Sequence, residues 1–479
     1  MRIGQTSVLL SVSKFVGSIA GFLATLYFAQ VLGAKVLGYY SLILVVTKWL
    51  TIVGDIGVAS ATNKRVSEAD DQSAYFTAGV VAVIAFGVVV SAAAIVFGDL
   101  IDAYVGIETS WFVAALVPLV LLYSVIGSAL KGERRVHLVA LLTPVQTIGR
   151  SVVQISLVFV GFGLAGMIYG YVAGIVFATV LGVRFISLGV TRPKDEHFKE
   201  IYTFARYSWL GNLRSQSFNN VDTIVLGALV APGLVGVYSV AWGLTNFVGI
   251  FGSSIRNTLF PEMSYTDANQ TEQRLKTLIT DSLRYNGLIA IPGFFGSLVV
   301  ADRLLRIYGE EFTRGAVVLG LLILAMLVYD YQNQLLNALN AVDRPDISFR
   351  INAVFIVTNL CLNVALVLAI GWEGAAIATV AGATIGLLLA FRSLHRHIDF
   401  EVPVAEFGRQ VAASLVMAAV VAVVRTVIEV TDVVNHNVII VVSLVLLGAG
   451  TYFFCLFGIS RQFRTTVMEN APVPIPSFP

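Results

Sequence analysis

Apolar runs of about 20 residues, each long enough to cross the hydrocarbon of a bilayer, recur along nearly the whole chain. Only membrane-spanning helices satisfy the backbone of so many such segments, because the strict alternation of a transmembrane β-barrel is missing from them. Charged residues make up 13% of the 479 positions. That is about half of the ~25% that covers an ordinary soluble domain. The fold class expected is therefore an all-α polytopic membrane protein.

Length and flanking charge divide the chain into about fourteen spans, at 7–32, 37–61, 75–98, 111–130, 138–160, 164–187, 204–230, 233–256, 279–300, 315–340, 347–370, 373–391, 408–429 and 437–458. The first run exceeds the apolar part of a signal peptide and no small-residue cleavage site follows, so it is expected to be a retained span. Loop charge sets the orientation. With the N-terminus in the cytoplasm, the inner connections collect Lys64, Arg65, Lys131, Arg134, Arg135, Arg192, Lys194, Lys199, Arg274, Lys276, Arg344, Arg392 and Arg396, and the tail adds Arg461 and Arg464. The outer connections hold Lys35, Arg303, Arg306 and Arg314. The balance is roughly nineteen to four once helix-end arginines such as Arg206, Arg256 and Arg409 are included. The outer exception, "ADRLLRIYGEEFTR", sets Asp302, Glu310 and Glu311 against its arginines and is the longest outer loop. Inner connections such as "TRPKDEHFKE" and "MSYTDANQTEQRLKT" read as polar loops. An even span count places both termini in the cytoplasm, with the cell membrane as the location.

The chain also resembles itself. "KVLGYYS" at 35–41 matches "GLVGVYS" at 233–239, so Gly38, Tyr40 and Ser41 fall on Gly236, Tyr238 and Ser239. "GLAGMIYGYVAG" at 163–174 matches "GWEGAAIATVAG" at 371–382. Both offsets are roughly 200 residues, which makes a parallel repeat of two six-span halves. The expected organisation is a first half at 1–190, a second at 191–400, and two further spans with a tail at 401–479. Facing halves with a site between them form a transporter architecture.

The run "LVFVGFGLAG" contains Gly161-x-Gly163-x-x-Gly166, the spacing of a dinucleotide-binding turn. Here it follows an apolar span rather than a strand, on the predicted outer side, and its repeat partner keeps only Gly371 and Gly374. Close helix packing at a tight turn explains these glycines better.

Charge within the spans carries the functional signal. A charged side chain at the bilayer centre costs at least ~2.5–3.5 kcal/mol even on mild insertion scales. Lys14, Lys48, Arg150, Arg214, Arg284 and Arg350 nevertheless lie within spans, with Lys48, Arg150 and Arg214 near the midplane. They outnumber Asp55, Asp222 and Asp330 by about three, so a shared cavity would carry surplus positive charge and favour an anion. Phosphate is the natural ligand, because arginine forks match its oxygens. Asn219, Asn220, Asn333, Asn337 and Asn363 would add polar lining. The aspartates could couple transport to an ion; the competing reading gives Asp55, Asp222 and Asp330 to pairing that merely holds the bundle. It lets Arg284 and Arg350 snorkel to a surface and makes the asparagines interhelical glue. Arg425, outside the repeat, is expected to be structural.

Little else points to chemistry. Cys361 and Cys455 lie in apolar runs and read as small core residues. His395-x-His397 beside Arg396 reads as a solvated basic loop, and no metal-site spacing joins it. No phosphate loop with lysine is present, and no cofactor or metal is expected. The formal net charge of +2 implies no nucleic-acid partner.

The repeated halves, the "LGAKVLGYYSL" turn and the long stretch from "YGEEFTRGAVV" to "ATVAG" resemble the polysaccharide-export branch of the multidrug/oligosaccharidyl-lipid/polysaccharide (MOP) superfamily, with Wzx-type flippases as the nearest kind. The likeness spans the first twelve helices and rests on glycines, small residues and hydropathy. It implies two pseudo-symmetric six-helix halves in a V-shaped, MATE-like alternating-access bundle with a cationic cavity, plus two C-terminal helices. It also implies transfer of a polyprenyl- or dolichyl-phosphate-linked glycan between leaflets, with membrane lipid and glycosyltransferases of the same pathway as partners. A multidrug or cation antiporter of the same superfamily is the first rival, but it would require an acidic cavity. A membrane glycosyltransferase or polymerase is the second, but the outer loops are too short for the catalytic segment such enzymes carry.

Overall fold

The computed structural model of the chain describes residues 3–269, 272–431 and 436–470. Side chains are described from residue 16 onward, except over 206–215, 257–258, 264–269 and 469–470 and at 217, 261 and 272. Among these residues there are sixteen α-helices, one 3-10 turn and no strand. Twelve helical segments are long and apolar enough to cross a membrane. The expected spans one and two form a single broken helix, α1 (Ile3–Asp55), and span seven falls in α8 (Asp195–Leu229), which contains the undescribed side chains. Large apolar side chains such as Val89, Phe159, Phe177 and Leu368 are exposed, and Phe454 is 82% exposed. Such a surface requires lipid as its solvent.

The chain divides into two compact units, Met1–Val240 and Ala241–Pro479. The first contains α1, α2 (Val58–Glu68), α3 (Gln72–Val96), α4 (Gly98–Val105), α5 (Ser110–Gly132), α6 (Val136–Phe159), α7 (Gly163–Phe185), α8 and the start of α9 (Pro232–Asn269). The second contains the rest of α9, α10 (Glu272–Arg306), the 3-10 turn Glu310–Gly315, α11 (Ala316–Ala341), α12 (Pro345–Ile370), α13 (Glu373–His395), α14 (Val404–Thr431), α15 (Asn437–Ile459) and α16 (Arg461–Asn470). In the first unit α6 packs on α7, α3 on α5 and α5 on α7. In the second α12 packs on α13, α10 on α11 and α11 on α13, so the neighbour relations follow the sequence repeat. Helices α14 and α15 pack on each other and on α10.

The turn read between spans one and two is a break inside α1. Gly33 adopts φ 77°, a left-handed value that glycine reaches without a steric penalty. A few residues on, a Cβ on Gly38 would strike the carbonyl oxygen of Pro232, and one on Gly236 would strike that of Ala34. The two backbones cross in direct contact there, each through the glycine that the repeat aligns with the other. At the far end of α1, Ile56 (φ 39°) and Gly57 (φ 83°) break the helix, and Asp55 Oδ1 accepts a hydrogen bond from Ala59 N at 2.9 Å at the start of α2.

The Gly161-x-Gly163 stretch is the turn between α6 and α7, with φ 98° and 53°. Gly170 and Gly174 lie on the α7 face that touches α6. A Cβ at Gly170 would be 2.6 Å from Gln154 N, and one at Gly174 would be 2.6 Å from Arg150 Cβ. The glycines thus serve a turn and a close helix crossing.

Several expectations are corrected. The inner connections read as polar loops are largely helix: α8 begins at Asp195, α9 runs to Asn269, and α10 begins at Glu272. Their Glu, Gln, Lys and Leu residues are good helix formers, and apolarity alone does not mark where a helix ends. The "ADRLLRIYGEEFTR" loop shrinks to Ile307–Gly309 between α10 and the 3-10 turn. Cys361 is exposed on α12 and Cys455 is half-buried, because these helices turn apolar faces outward. His397 accepts from Arg344 Nη2 at 2.7 Å, and the His395 ring stacks on Phe391.

The charges at the α10 end neutralise one another. Arg425 forks onto Asp302, with both nitrogen-to-oxygen distances at 2.7 Å, and its Nε donates to Glu429 at 2.8 Å. Arg303 also pairs with Glu429, and Arg306 with Glu310. Between α4 and α5, burial raises the Asp102 carboxyl, but hydrogen bonds from Thr109 and Ser110 outweigh that effect and hold it below the usual carboxylate value.

Candidate functional site

In the first unit, Thr143, Thr147, Arg150 and Gln154 recur along α6 at helical spacing and form one polar stripe. The glycine face of α7 brings this stripe close to Tyr171, whose ring centroid is 5.5 Å from Arg150 Cζ. Gln154 is buried and its Nε2 donates to Tyr40 Oη at 2.8 Å and to the Met167 carbonyl at 2.5 Å. About two turns further along α1 lies Lys48. Its Nζ donates to Asn220 Oδ1 on α8 at 3.3 Å, and Asn220 in turn donates to Gln216 Oε1 at 2.6 Å.

Lys48 is exposed and Arg150 half-buried, and the charge of Arg150 bears on Lys48, Tyr40 and Tyr171. Among the described residues no carboxylate forms an ion pair with either cation. Arg150 Nε is buried without a hydrogen-bond partner. Two like charges in one unit, neither with an acid among the described residues, raise the potential where an anion would sit. Lys14 and Arg214 lie on α1 and α8, but their side chains are outside the described residues. Asn219, next to Asn220, is half-buried.

Each aspartate singled out from the sequence has a partner. Asp55 caps the start of α2. Asp222 is buried and accepts a short hydrogen bond from the Tyr238 hydroxyl. Asp330, on α11, is 3% exposed and pairs with Arg256 Nη1 at 3.6 Å. Arg256 entered the sequence reading only as a helix-end charge, yet from α9 it reaches this buried carboxylate.

The Asp330 environment in the second unit is polar and tightly built. A Cβ on Gly252 would strike Asp330 Oδ2 and lie 2.9 Å from Asn286 Oδ1. Gln334 Nε2 donates to the Gly252 carbonyl at 3.2 Å. Removing one partner of a buried ion pair costs about 3–5 kcal/mol, because the other charge is left uncompensated. Arg256→Met is therefore expected to lower the thermal unfolding midpoint in detergent sharply. The double variant Arg256→Met/Asp330→Leu recovers most of that loss.

The remaining candidates lie in the second unit. Arg284 pairs with Asp281 on its own helix at 2.7 Å. Arg350 is exposed near the start of α12. Asn333 is buried and Asn337 half-buried on α11. Asn363 is fully buried and donates to the Asn359 carbonyl at 3.0 Å, and Asn359 reaches Thr379 on α13 at 3.4 Å. Sequence reasoning missed Tyr40, Gln154 and Tyr171, although the α6 stripe was readable from its three- and four-residue spacing.

Comparison with known proteins gives consistent findings. The profile of a family described as "Polysaccharide biosynthesis protein" matches residues 27–316. The chain is 30% identical over 473 residues to the probable flippase AglR of Haloferax volcanii, covering 98% of each. It is 26% identical over 436 residues to that organism's probable low-salt glycan biosynthesis flippase Agl15, covering 91% of this chain and 92% of Agl15. Among solved structures, the lipid II flippase MurJ in an inward closed conformation superposes with a TM-score of 0.80 at 15% identity, over 96% of this chain and 100% of MurJ. The fold is thus one that MurJ shares.

Proposed function

From the premise that this chain belongs to the polysaccharide biosynthesis protein family, we propose that it is a flippase for a lipid-linked glycan. The substrate would be a sugar or oligosaccharide on a polyprenyl or dolichyl phosphate, moved from the cytoplasmic to the outer leaflet by alternating access. Lys48 and Arg150 bind the phosphate while the lipid tail stays in the bilayer. The protein resides in the cytoplasmic membrane with both termini inside and works beside the glycosyltransferases that build its substrate.

The observation that carries this reading is that neither Lys48, hydrogen-bonded to buried Asn220, nor Arg150, lying over Tyr171, has a carboxylate partner among the described residues. A cation antiporter would require carboxylates at that place, whereas the cluster repels cations. The test is reconstitution of the purified chain into liposomes with a hexosyl-polyprenyl phosphate bearing a fluorescent label on the sugar. Loss of fluorescence to a membrane-impermeant quencher reports which leaflet holds the label. The expected result is equilibration between leaflets at a rate that rises with protein content. Equilibration no faster than in protein-free liposomes sinks the proposal.

A further inference from the structure

We propose that the tyrosines around Arg150 form a subsite for the first sugar of the headgroup, with Tyr40, Tyr123 and Tyr171 presenting rings and hydroxyls to it. This rests on the lipid-linked glycan reading above and names the part of the substrate that this end of the site selects.

The three tyrosines come from three helices, α1, α5 and α7, and all are half-buried rather than packed away. Geometry brings them to one place: the Tyr171 ring centroid is 5.5 Å from Arg150 Cζ, Tyr40 Oη is 2.8 Å from Gln154 Nε2 one turn along α6 from Arg150, and α5, which carries Tyr123, packs on α7. A site for phosphate alone needs cations and N–H donors, and phenol rings add little to it. A pyranose has an apolar C–H face that stacks on an aromatic ring, and hydroxyls that pair with phenols. Tyrosine supplies both from one side chain at small entropic cost.

Gln154 decides how Tyr40 is used. Its Nε2 donates to Tyr40 Oη, so the phenolic oxygen already accepts one hydrogen bond and the Tyr40 O–H is left to donate elsewhere. The same amide nitrogen also donates to the Met167 carbonyl, which ties the arrangement to α7. Gln154 is therefore a positioning residue. Tyr171 has no hydrogen-bond partner among the described residues, and Arg150 lies over its ring as a cation–π neighbour. Lys48, about 12 Å along α1 from Tyr40 by helical rise, holds the phosphate from the far side, while Arg150, beside the tyrosines, contacts it where the sugar begins.

The test measures binding of two probes to the full-length purified chain in detergent: a short-chain polyprenyl phosphate, and the same lipid carrying a single hexose. Wild type is expected to bind the hexosyl lipid about 10-fold more tightly, the scale set by two or three aromatic contacts. Tyr123→Ala/Tyr171→Ala loses that preference and keeps the affinity for the bare lipid phosphate, which also shows that the variant is folded. Tyr171→Phe, which retains the ring, keeps most of the preference. Lys48→Ala weakens both probes alike. The subsite is overturned if wild type binds the two probes equally, or if the tyrosine variants leave the ratio unchanged or weaken both probes together. A wild-type chain that binds neither probe removes the lipid-phosphate reading and the subsite with it.

Discussion

Replacing Lys48 and Arg150 together with alanine is expected to slow flipping by about 100-fold or more while leaving the fold at least as stable. Each cation can give a phosphate a charge-assisted hydrogen bond worth ~1.5–3 kcal/mol, and no other described side chain in the cluster carries positive charge. If the two were structural, the same substitutions would unfold the chain, as breaking a buried ion pair does. They have no acid to hold, and each costs free energy simply by being within the membrane. The liposome assay therefore needs a thermal unfolding curve beside it. Loss of flipping with an unchanged or raised midpoint fits a binding role, and a lowered midpoint fits a scaffold role. Lys48→Arg keeps the charge and should retain much of the rate.

Gly174→Leu is expected to be the most damaging single change in the first unit. The first carbon of the new side chain would lie 2.6 Å from Arg150 Cβ, 2.9 Å from the Gln146 carbonyl oxygen and 3.0 Å from Arg150 Cα. Two of these atoms belong to backbone, so α6 and α7 must separate, at a cost of about 1–3 kcal/mol for overpacking. The separation also carries Arg150 away from Tyr171, so flipping falls with stability. Gly149→Ala is the control. It sits next to Arg150 on α6 with nothing within 4 Å of its added Cβ, and it should gain about 0.5–1 kcal/mol from helix propensity. Thermal unfolding of the two variants checks the contrast.

The spans were legible because apolarity over about 20 residues is a sufficient signal for a membrane helix. The helix ends were not, since Asp195, Glu272 and their neighbours continue or begin helices in polar sequence that hydropathy reads as loop. Depth along the helix singled out Lys48 and Arg150 as charges far from either span end. It could not reveal that Gln154 bridges α6, α7 and Tyr40, because that depends on glycines in α7 admitting α6 at close range. The fates of the aspartates were hidden for another reason. Tyr238 and Arg256, the partners of Asp222 and Asp330, are distant in sequence and follow no spacing rule. One further regularity was present but unread. Arg134 and Asp343 both adopt left-handed backbone, at φ 60° and 58°, in the turns before α6 and α12, and each is followed by an arginine. Neither is glycine, so composition gave no hint of the shared geometry.

The touching backbones at Gly38 and Gly236 bear on the symmetry of the chain. Two positions that the internal sequence likeness aligns rest against each other, a contact of the kind identical subunits form across a dyad. At such a seam only glycine fits on either side, because each added Cβ would meet the other backbone's carbonyl oxygen. Away from that seam the two sides are not held to identical sequence. At the offset that aligns Gly163 with Gly371, Arg150 falls on Thr358, so the cation belongs to one side alone.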